Sequence, residues 1–163
     1  MQGTITVAID PPLTTNFTIF DNFDNGVVSL GAGVDGILEV QPNSTQRWLF
    51  EQVKLDYYII RDSMSNRFLY FPEFKPGTVA TVSKTAASVV SFSLATSALA
   101  KFYINQHFYA PDLYFTVEPY SSEAPNRLVL RLQESAYGKK RQQFVLVKSP
   151  GNGSYSWMDS GTQ

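Results

Sequence analysis

Short apolar segments recur along the chain in groups of four, and the groups recur three times. Each group opens with an aromatic residue, one further residue and isoleucine: Phe17-Thr18-Ile19, Tyr58-Ile59-Ile60 and Phe102-Tyr103-Ile104. A polar turn residue follows two positions later, as Asp21, Asp62 or Gln106. A second apolar triplet ends eleven residues after each isoleucine, as Val28-Ser29-Leu30, Leu69-Tyr70-Phe71 and Leu113-Tyr114-Phe115. This constant spacing predicts a hairpin of one length in all three groups.

The third and fourth segments of each group repeat as well. The third alternates apolar and polar residues at 37–40, 79–82 and 128–132, and the fourth is Trp48-Leu49-Phe50, Phe92-Ser93-Leu94 or Phe144-Val145-Leu146. Three units of four short strands cannot each bury an apolar face alone, but together they can close into a barrel with a hairpin cap. We therefore predict an all-β chain with β-trefoil architecture, in which the opening and closing aromatic residues form core layers.

The repeats predict a single domain over residues 1–163. The three repeats span about 16–50, 57–95 and 101–148, with terminal extensions at 1–15 and 149–163. In the extensions, Val7-Ala8-Ile9 and Tyr155-Ser156-Trp157 are spaced like additional strands. These segments either pair with each other where the repeats meet or extend toward a partner subunit.

Composition favours strands over helices. Valine, isoleucine, threonine and the aromatic residues total 56, whereas lysine and glutamate total 13, and the first set is enriched in strands. The stretch Ser83–Phe102 is the main alternative, because Ala87, Val90, Leu94 and Ala98 stand at helical spacing. The repeat predicts strands in this stretch too.

Charge and rare residues exclude several classes of function. The chain has no cysteine, one histidine and a formal net charge of -1. These counts argue against disulfides, thiolate metal sites, a cysteine nucleophile and a nucleic-acid partner. No apolar run reaches the ~20 residues of a membrane span, and Met1–Asp10 has neither the basic nor the apolar region typical of a signal peptide. We expect no membrane insertion and a cytoplasmic location, with secretion by a non-standard route left open.

The sequence supports neither a dinucleotide-binding motif nor a catalytic set of residues. The stretch 31–36 reads G-x-G-x-x-G, but the strand-like segment Ile37–Val40 follows where a dinucleotide site needs a helix. We interpret it as a glycine-rich hairpin. No carboxylate pair and no Ser/His/Asp set can be assembled from the repeats, so we expect neither an enzyme nor a cofactor or metal site.

The aromatic-x-Ile openings together with Gln46-Arg47-Trp48 resemble the ricin-B-like β-trefoil family, whose repeats end in Gln-x-Trp. The third repeat has Gln142-Gln143-Phe144 at this place and the second has Val90-Ser91-Phe92. The cysteine-free form is similar to members from fungal fruiting bodies, which include lectins and related trefoil protease inhibitors. The resemblance implies a shallow sugar site in a repeat, with an acidic residue in the second strand, an aromatic platform in the following hairpin and an asparagine near Gln-x-Trp. The acidic position is Ser29, Tyr70 or Tyr114 in this sequence.

The resemblance implies a non-catalytic lectin that binds glycans or glycoproteins. Its candidate ligand-binding residues are Asn43 and Gln46 in the first repeat, and Glu118, Tyr120 and Gln142 in the third, where the hairpin Glu118–Glu123 is enlarged. Gln46 and Gln142 have a second interpretation, in which each ties backbone groups at the base of a hairpin. A homodimer or a partner protein is also possible within this prediction.

The alternative function is protease inhibition or protein interaction through one protruding loop. The loop 72–77 has a proline near each end, which limits its conformational freedom. Its candidate contact residues are Glu73, Phe74 and Lys75. Lys75 would suit a protease pocket that is specific for basic side chains. A solubilising surface lysine is the plainer interpretation of Lys75.

Overall fold

Four-stranded groups follow one another along the chain. The computed structural model describes residues 16–31, 33, 35–94, 100–104, 112–135, 140–149 and 155–156. Within these residues the strands are β1 (Asn16–Asp21), β2 (Val27–Leu30), β3 (Leu38–Gln41), β4 (Trp48–Lys54), β5 (Tyr57–Asp62), β6 (Phe68–Tyr70), β7 (Thr81–Ser83), β8 (Ser91–Leu94), β9 (Ala100–Ile104), β10 (Leu113–Ser121), β11 (Ala124–Gln133), β12 (Phe144–Ser149) and β13 (Tyr155–Ser156). A 3-10 helix, Lys140–Gln142, precedes β12.

Six strands, the first and fourth of each group, close into a barrel. β1 pairs with β4 on one side and along its whole length with β12 on the other. β4 pairs with β5, β8 with β9, and β9 with β12. A bridge between Tyr58 and Val90 joins β5 to the residue that precedes β8. Each barrel strand therefore has a neighbour on both sides, which leaves no open edge in the barrel.

The second and third strands of each group form three hairpins, β2–β3, β6–β7 and β10–β11, that cap the barrel. The amide of Leu38 donates to the carbonyl of Ala80 at 3.0 Å, and the amide of Ala80 donates to the carbonyl of Leu130 at 2.9 Å. These residues hold equivalent places in the three hairpins, and all are fully buried. The hairpins thus join around an approximate three-fold axis.

Aromatic residues that open and close the groups fill the core. The buried set is Phe17, Trp48, Tyr58, Phe92, Phe102 and Phe144. The ring of Phe102 lies 5.4 Å from that of Phe92 and 5.8 Å from that of Phe50, measured between centroids. The indole nitrogen of Trp48 donates to the carbonyl of Val28 at 2.8 Å, which satisfies the buried N–H. The predicted core layers are confirmed.

Two aspartates build the same turn in the first two groups. Asp21 ends β1 and accepts hydrogen bonds from the amides of Phe23 at 2.6 Å and Gly26 at 3.1 Å. Asp62 ends β5 and accepts a hydrogen bond from the amide of Ser65 at 2.9 Å. A carboxylate that binds several turn amides fixes the path of the chain. These are the turns that the constant spacing predicted.

The enlarged hairpin of the third group is an extension of its two strands. β10 continues through Pro119 to Ser121, and β11 begins at Ala124. Pro119 lies opposite Leu128 within the ladder. Proline is tolerated at an edge or irregular position of a strand, where its missing amide hydrogen is not needed, and the pairing register shifts directly after Pro119.

The helical alternative for the stretch Ser83–Phe102 is wrong. In this stretch β7 ends, β8 spans Ser91–Leu94 and β9 begins; residues 95–99 lie outside the described part.

One of the two predicted terminal strands is present in the described residues. β13 pairs with β12 through Tyr155 and Ser156. The predicted strand Val7–Ile9 lies outside the described residues, as does Trp157.

Candidate functional site

An open cleft of about 670 Å³ lies where the first group meets the second. β1, β2, the segment before β4 and the turn after β5 supply its walls. Hydroxyl and amide side chains dominate the lining: Asn16, Ser29, Ser44, Thr45, Gln46 and Ser63. Leu30 and Met64 add apolar surface, and Arg47 and Asp62 add charge.

The carboxylate of Asp62 forms the buried floor of the cleft. One oxygen accepts hydrogen bonds from Gln46 Nε2 at 2.6 Å and from the amide of Met64 at 3.3 Å. The other accepts from the amide and the hydroxyl of Ser65. Burial of Asp62 acts to raise its pKa, but the hydrogen bonds from Ser65 and Gln46 outweigh burial and hold the pKa below its ordinary value. Asp62 is therefore ionised at neutral pH, with both oxygens occupied.

Gln46 connects the two groups across the cleft. Its Nε2 donates to Asp62 and to the carbonyl of Arg47, the latter at 3.0 Å. Its Oε1 accepts a hydrogen bond of 3.3 Å from the amide of Leu30. The side chain of Gln46 thus ties backbone groups at the hairpin base, as the structural interpretation expects, and it also lines the cleft.

The second-strand position that the resemblance makes acidic is occupied by Ser29. Its hydroxyl is buried, donates to the carbonyl of Val27 at 2.8 Å and lies 2.7 Å from the hydroxyl of Ser44. Ser44 in turn accepts a hydrogen bond of 3.1 Å from the amide of Gln46. These hydroxyls stabilise the wall of the cleft and provide no carboxylate.

Three residues of the cleft lining are exposed: Thr45, Arg47 and Met64. Met64 is 89% exposed at the rim. These side chains present a hydroxyl, a positive charge and an apolar surface to a ligand. The side-chain oxygen of Asn16, in contrast, is buried.

The equivalent junction between the third group and the first has additional side-chain contacts. There the amide of Asn22 donates to the carbonyl of Gln143 at 2.9 Å, as Ser63 does to Arg47 at 3.3 Å in the cleft. However, Asn22 Nδ2 also donates to Gln143 Oε1 at 3.2 Å. In addition, the guanidinium of Arg141 lies 4.5 Å from the ring centroid of Phe23, the counterpart of Met64. The side chain of Gln143 thus has a partner at this junction, whereas that of Arg47 has none among the described residues.

The predicted first-repeat residues lie close together, but only one lines the cleft. Gln46 is a lining residue, whereas Asn43 is exposed in the turn after β3, with a φ of 59°. Sequence reasoning had identified Asp62 only as a turn residue. It did not single out Arg47, Met64 or Asn16, because nothing in their spacing indicates that the first and second repeats meet at these residues.

The structure corrects the prediction for Gln142. This side chain is 1% exposed, and its Nε2 donates to the hydroxyl of Thr116 at 3.0 Å and to the carbonyl of Glu134 at 2.9 Å. A buried amide bonded within the fold is not available to a ligand. Gln142 therefore follows the structural interpretation, and it ties β10 to the segment after β11.

Tyr120 and Glu118 lie on β10, and neither lines the cleft. The guanidinium of Arg127 lies 4.4 Å from the ring centroid of Tyr120 and donates to Glu39 Oε2 at 2.6 Å. Glu118 accepts a hydrogen bond of 3.1 Å from Gln133 Nε2. One face of the predicted aromatic platform is thus covered by an arginine that links the third hairpin to the first.

The alternative loop site is exposed at its tip and anchored at its ends. The side chains of Lys75 and Glu73 are 66% and 61% exposed and form an ion pair of 3.1 Å. Phe74 is partly buried against the core. The amide of Gly77 donates to the carbonyl of Leu132 at 2.7 Å. Of the three predicted contact residues, only Lys75 and Glu73 are presented outward.

Neither metal sites nor membrane-crossing helices occur in the described ranges. Among those residues, no group of three acidic, histidine or cysteine side chains could hold a metal ion. The same part of the chain contains no helix long and apolar enough to cross a membrane.

Comparisons with solved structures identify the architecture. A ricin B-like lectin from Macrolepiota procera, in complex with lactose, matches with a TM-score of 0.65 at 14% identity, over 80% of this chain and 93% of that chain. A designed three-fold symmetric protein, ThreeFoil, matches with a TM-score of 0.62 at 12% identity, over 80% of this chain and 96% of that chain. This chain is a β-trefoil.

A third similar structure is an exo-β-1,3-galactanase from Clostridium thermocellum. It matches with a TM-score of 0.64 at 14% identity, over 83% of this chain but only 30% of that chain. No protein-family model matches the sequence, and no curated protein matches it either. The predicted resemblance to ricin-B-like trefoils is thus confirmed in the fold.

Proposed function

We propose that this trefoil binds carbohydrate without catalysis and that the cleft at the first junction is its binding site. The observation that carries the proposal is the composition of the cleft, with six hydroxyl or amide side chains beside an exposed methionine. Sugar recognition requires fixed polar groups for the hydroxyls and an apolar surface for the ring carbons. Met64 supplies the apolar surface at the rim, and Thr45 supplies an exposed hydroxyl.

The comparisons support the proposal at the level of the fold. One similar trefoil is a lectin in complex with lactose. In this chain, sugar binding in the cleft would not use a second-strand carboxylate, since Ser29 occupies that position. The partners we propose are glycans and glycoproteins. Because the cleft is open and shallow, we expect weak affinity at a single site, to be strengthened only where several copies or sites act together.

The charged groups in the cleft favour binding over catalysis. Glycoside hydrolysis uses two carboxyl groups, one of which takes or gives a proton. The carboxylate of Asp62 accepts four hydrogen bonds from Gln46, Met64 and Ser65, so it has no free oxygen for such a role. We therefore propose a non-catalytic role. The proposal also includes a cytoplasmic location.

A glycan array with wild-type protein and two variants tests this proposal. Met64→Ser removes the apolar rim, and Leu55→Ser is its control, because Leu55 is an exposed residue, 67% accessible, that does not line the cleft. We expect wild type and Leu55→Ser to bind the same glycans, and Met64→Ser to lose about tenfold in affinity. An empty array for wild type, or equal binding by Met64→Ser, would remove the cleft as a lectin site.

Protease inhibition through the 72–77 loop is the second candidate function. The observation in its favour is the exposed side chain of Lys75 on a loop that Gly77 anchors to β11. A panel of serine and cysteine proteases, assayed with wild type, Lys75→Ala and the surface control Lys84→Ala, tests it. Inhibition that disappears only with Lys75→Ala supports this candidate, whereas no inhibition by wild type excludes it.

A further inference from the structure

The accessible charged group of the cleft is the guanidinium of Arg47, which is a hydrogen-bond donor only. Both oxygens of Asp62 are occupied, and both oxygen and nitrogen of the Gln46 amide have partners. Among the described residues, the Arg47 guanidinium makes no hydrogen bond, ion pair or ring contact. An arginine side chain carries five N–H donors and a permanent positive charge. The accessible charge of the cleft is therefore positive.

The position of Arg47 carries no charge at the junction between the third group and the first. There the equivalent residue is the neutral Gln143, whose side chain is bonded to Asn22. Arg141 lies at that junction too, but its guanidinium lies over the ring of Phe23. Elsewhere in the described part of the chain, Arg61 pairs with Glu51, Arg127 with Glu39, and Arg131 with Glu118. Arg47 differs from these arginines because no carboxylate lies within ion-pair distance of it in the described residues.

We infer that the cleft recognises an acidic saccharide, whose carboxylate or sulfate group binds the Arg47 guanidinium. This inference rests on the proposed function of the cleft. A planar guanidinium binds a carboxylate or sulfate through paired hydrogen bonds, which are stronger than those between neutral groups. A neutral sugar also requires acceptors for its hydroxyl protons, and the carboxylate of Asp62 cannot provide one because its oxygens are occupied. The sugar ring then lies against the exposed side chain of Met64.

The overall charge of the protein does not substitute for this contact. The formal net charge is -1, so the protein as a whole does not attract anions. Selectivity for an acidic sugar must therefore come from the single local contact at Arg47. We expect a salt dependence that corresponds to about one ionic contact, much weaker than that of a basic patch.

An array that carries neutral, sulfated, sialylated and uronate-containing versions of the same glycan backbones tests the inference. The variants are Arg47→Gln, Arg47→Lys and the charge-matched control Lys84→Gln, which replaces an exposed lysine. We expect wild type to prefer acidic members by about tenfold over their neutral parents. Arg47→Gln abolishes this preference, Arg47→Lys keeps part of it, and Lys84→Gln leaves it intact.

The outcomes separate this inference from the proposed function. If wild type binds neutral and acidic versions equally, and Met64→Ser still weakens binding, then the cleft is a glycan site but the role of Arg47 is wrong. The inference is also overturned if Lys84→Gln reduces the preference as much as Arg47→Gln does, because the effect is then one of net charge. If wild type binds no glycan of either kind, the proposed function fails and the inference fails with it.

Discussion

The side-chain nitrogen of Gln46 lies 2.6 Å from a carboxylate oxygen of Asp62, and this hydrogen bond joins the first repeat to the second. The equivalent glutamine of the third repeat, Gln142, instead bonds to Thr116 and to the carbonyl of Glu134 within its own repeat. The same residue type at the same repeat position therefore has different partners.

Replacing Asp62 with alanine should destabilise the fold. The substitution leaves Gln46 Nε2 and the amides of Met64 and Ser65 without their acceptor. We expect the free energy of unfolding to fall by about 2–3 kcal/mol, the effect of leaving buried donors unpaired. Urea denaturation followed by circular dichroism measures it. Asp24→Ala, at an exposed turn residue, is the control and should change stability by less than about 0.5 kcal/mol.

The stability of the fold should decrease in acid, partly through Asp62. Its pKa in the folded protein lies below the ordinary value of 3.8, so the unfolded chain takes up a proton first as the pH falls. The contribution of Asp62 is complete above that ordinary value and is lost as the pH falls through the lower, folded pKa. Urea midpoints measured from about pH 6 down to about pH 3 test this.

Asp62→Asn is the variant that isolates this contribution. Its amide does not titrate, so its midpoint should change less with pH than that of wild type over the same range. Asp35→Asn is a useful comparison, because the amide of Ile37 and the side chain of Arg127 also lower the pKa of Asp35. Parallel pH profiles for wild type and Asp62→Asn would contradict the role of Asp62.

Trp48→Phe should be destabilising even though the other two repeats have phenylalanine at this position. The indole nitrogen of Trp48 satisfies the buried carbonyl of Val28, and the side chain is fully buried. Loss of the hydrogen bond and of part of the ring volume should reduce the free energy of unfolding by about 2–3 kcal/mol. A denaturation midpoint identical to that of wild type would mean that the carbonyl finds another donor.

The glycine-rich hairpin offers a matched pair of substitutions. A Cβ at Gly31 would lie 2.5 Å from the carbonyl oxygen of Ile37, which is backbone and cannot move independently. At Gly33 the nearest atom is the flexible side chain of Asp35, at 3.3 Å. We expect Gly31→Ala to lower stability by about 1–3 kcal/mol and Gly33→Ala to have a smaller effect. Thermal unfolding of both variants distinguishes a close backbone approach from a general loss of glycine.

Tyr120→Ala tests the predicted third-repeat site separately from the cleft. The variant removes the ring beside Arg127, which should reduce stability by about 0.5–1 kcal/mol, the usual contribution of an exposed cation–π contact. Since Tyr120 does not line the cleft, glycan binding should be unchanged. A loss of binding with Tyr120→Ala, with Met64→Ser unaffected, would transfer the site to the third hairpin.

Much of the fold was determined by local patterns that can be read along the chain. The spacing from Ile19 and Ile60 to the next apolar triplet predicted hairpins of equal length, because Asp21 and Asp62 bind the turn amides within a few residues of themselves. The core positions followed from period-two alternation, since alternate residues of a strand point to the same side. The repeat spacing did not predict how far the strands of the third hairpin extend, since β10 continues through Pro119 to Ser121.

Only the tertiary structure decided which of these positions form a site. Two contacts depend on residues that barrel closure brings together. One is the hydrogen bond between Gln46 and Asp62, and the other is the contact of Arg141 with the ring of Phe23 at the other junction. A repeat pattern treats Gln46 and Gln142 as equivalent, because it records residue type and spacing but not the neighbouring repeat. Burial and hydrogen-bond partners depend on that neighbour, and they separate a side chain that lines a cleft from one that is enclosed in the fold.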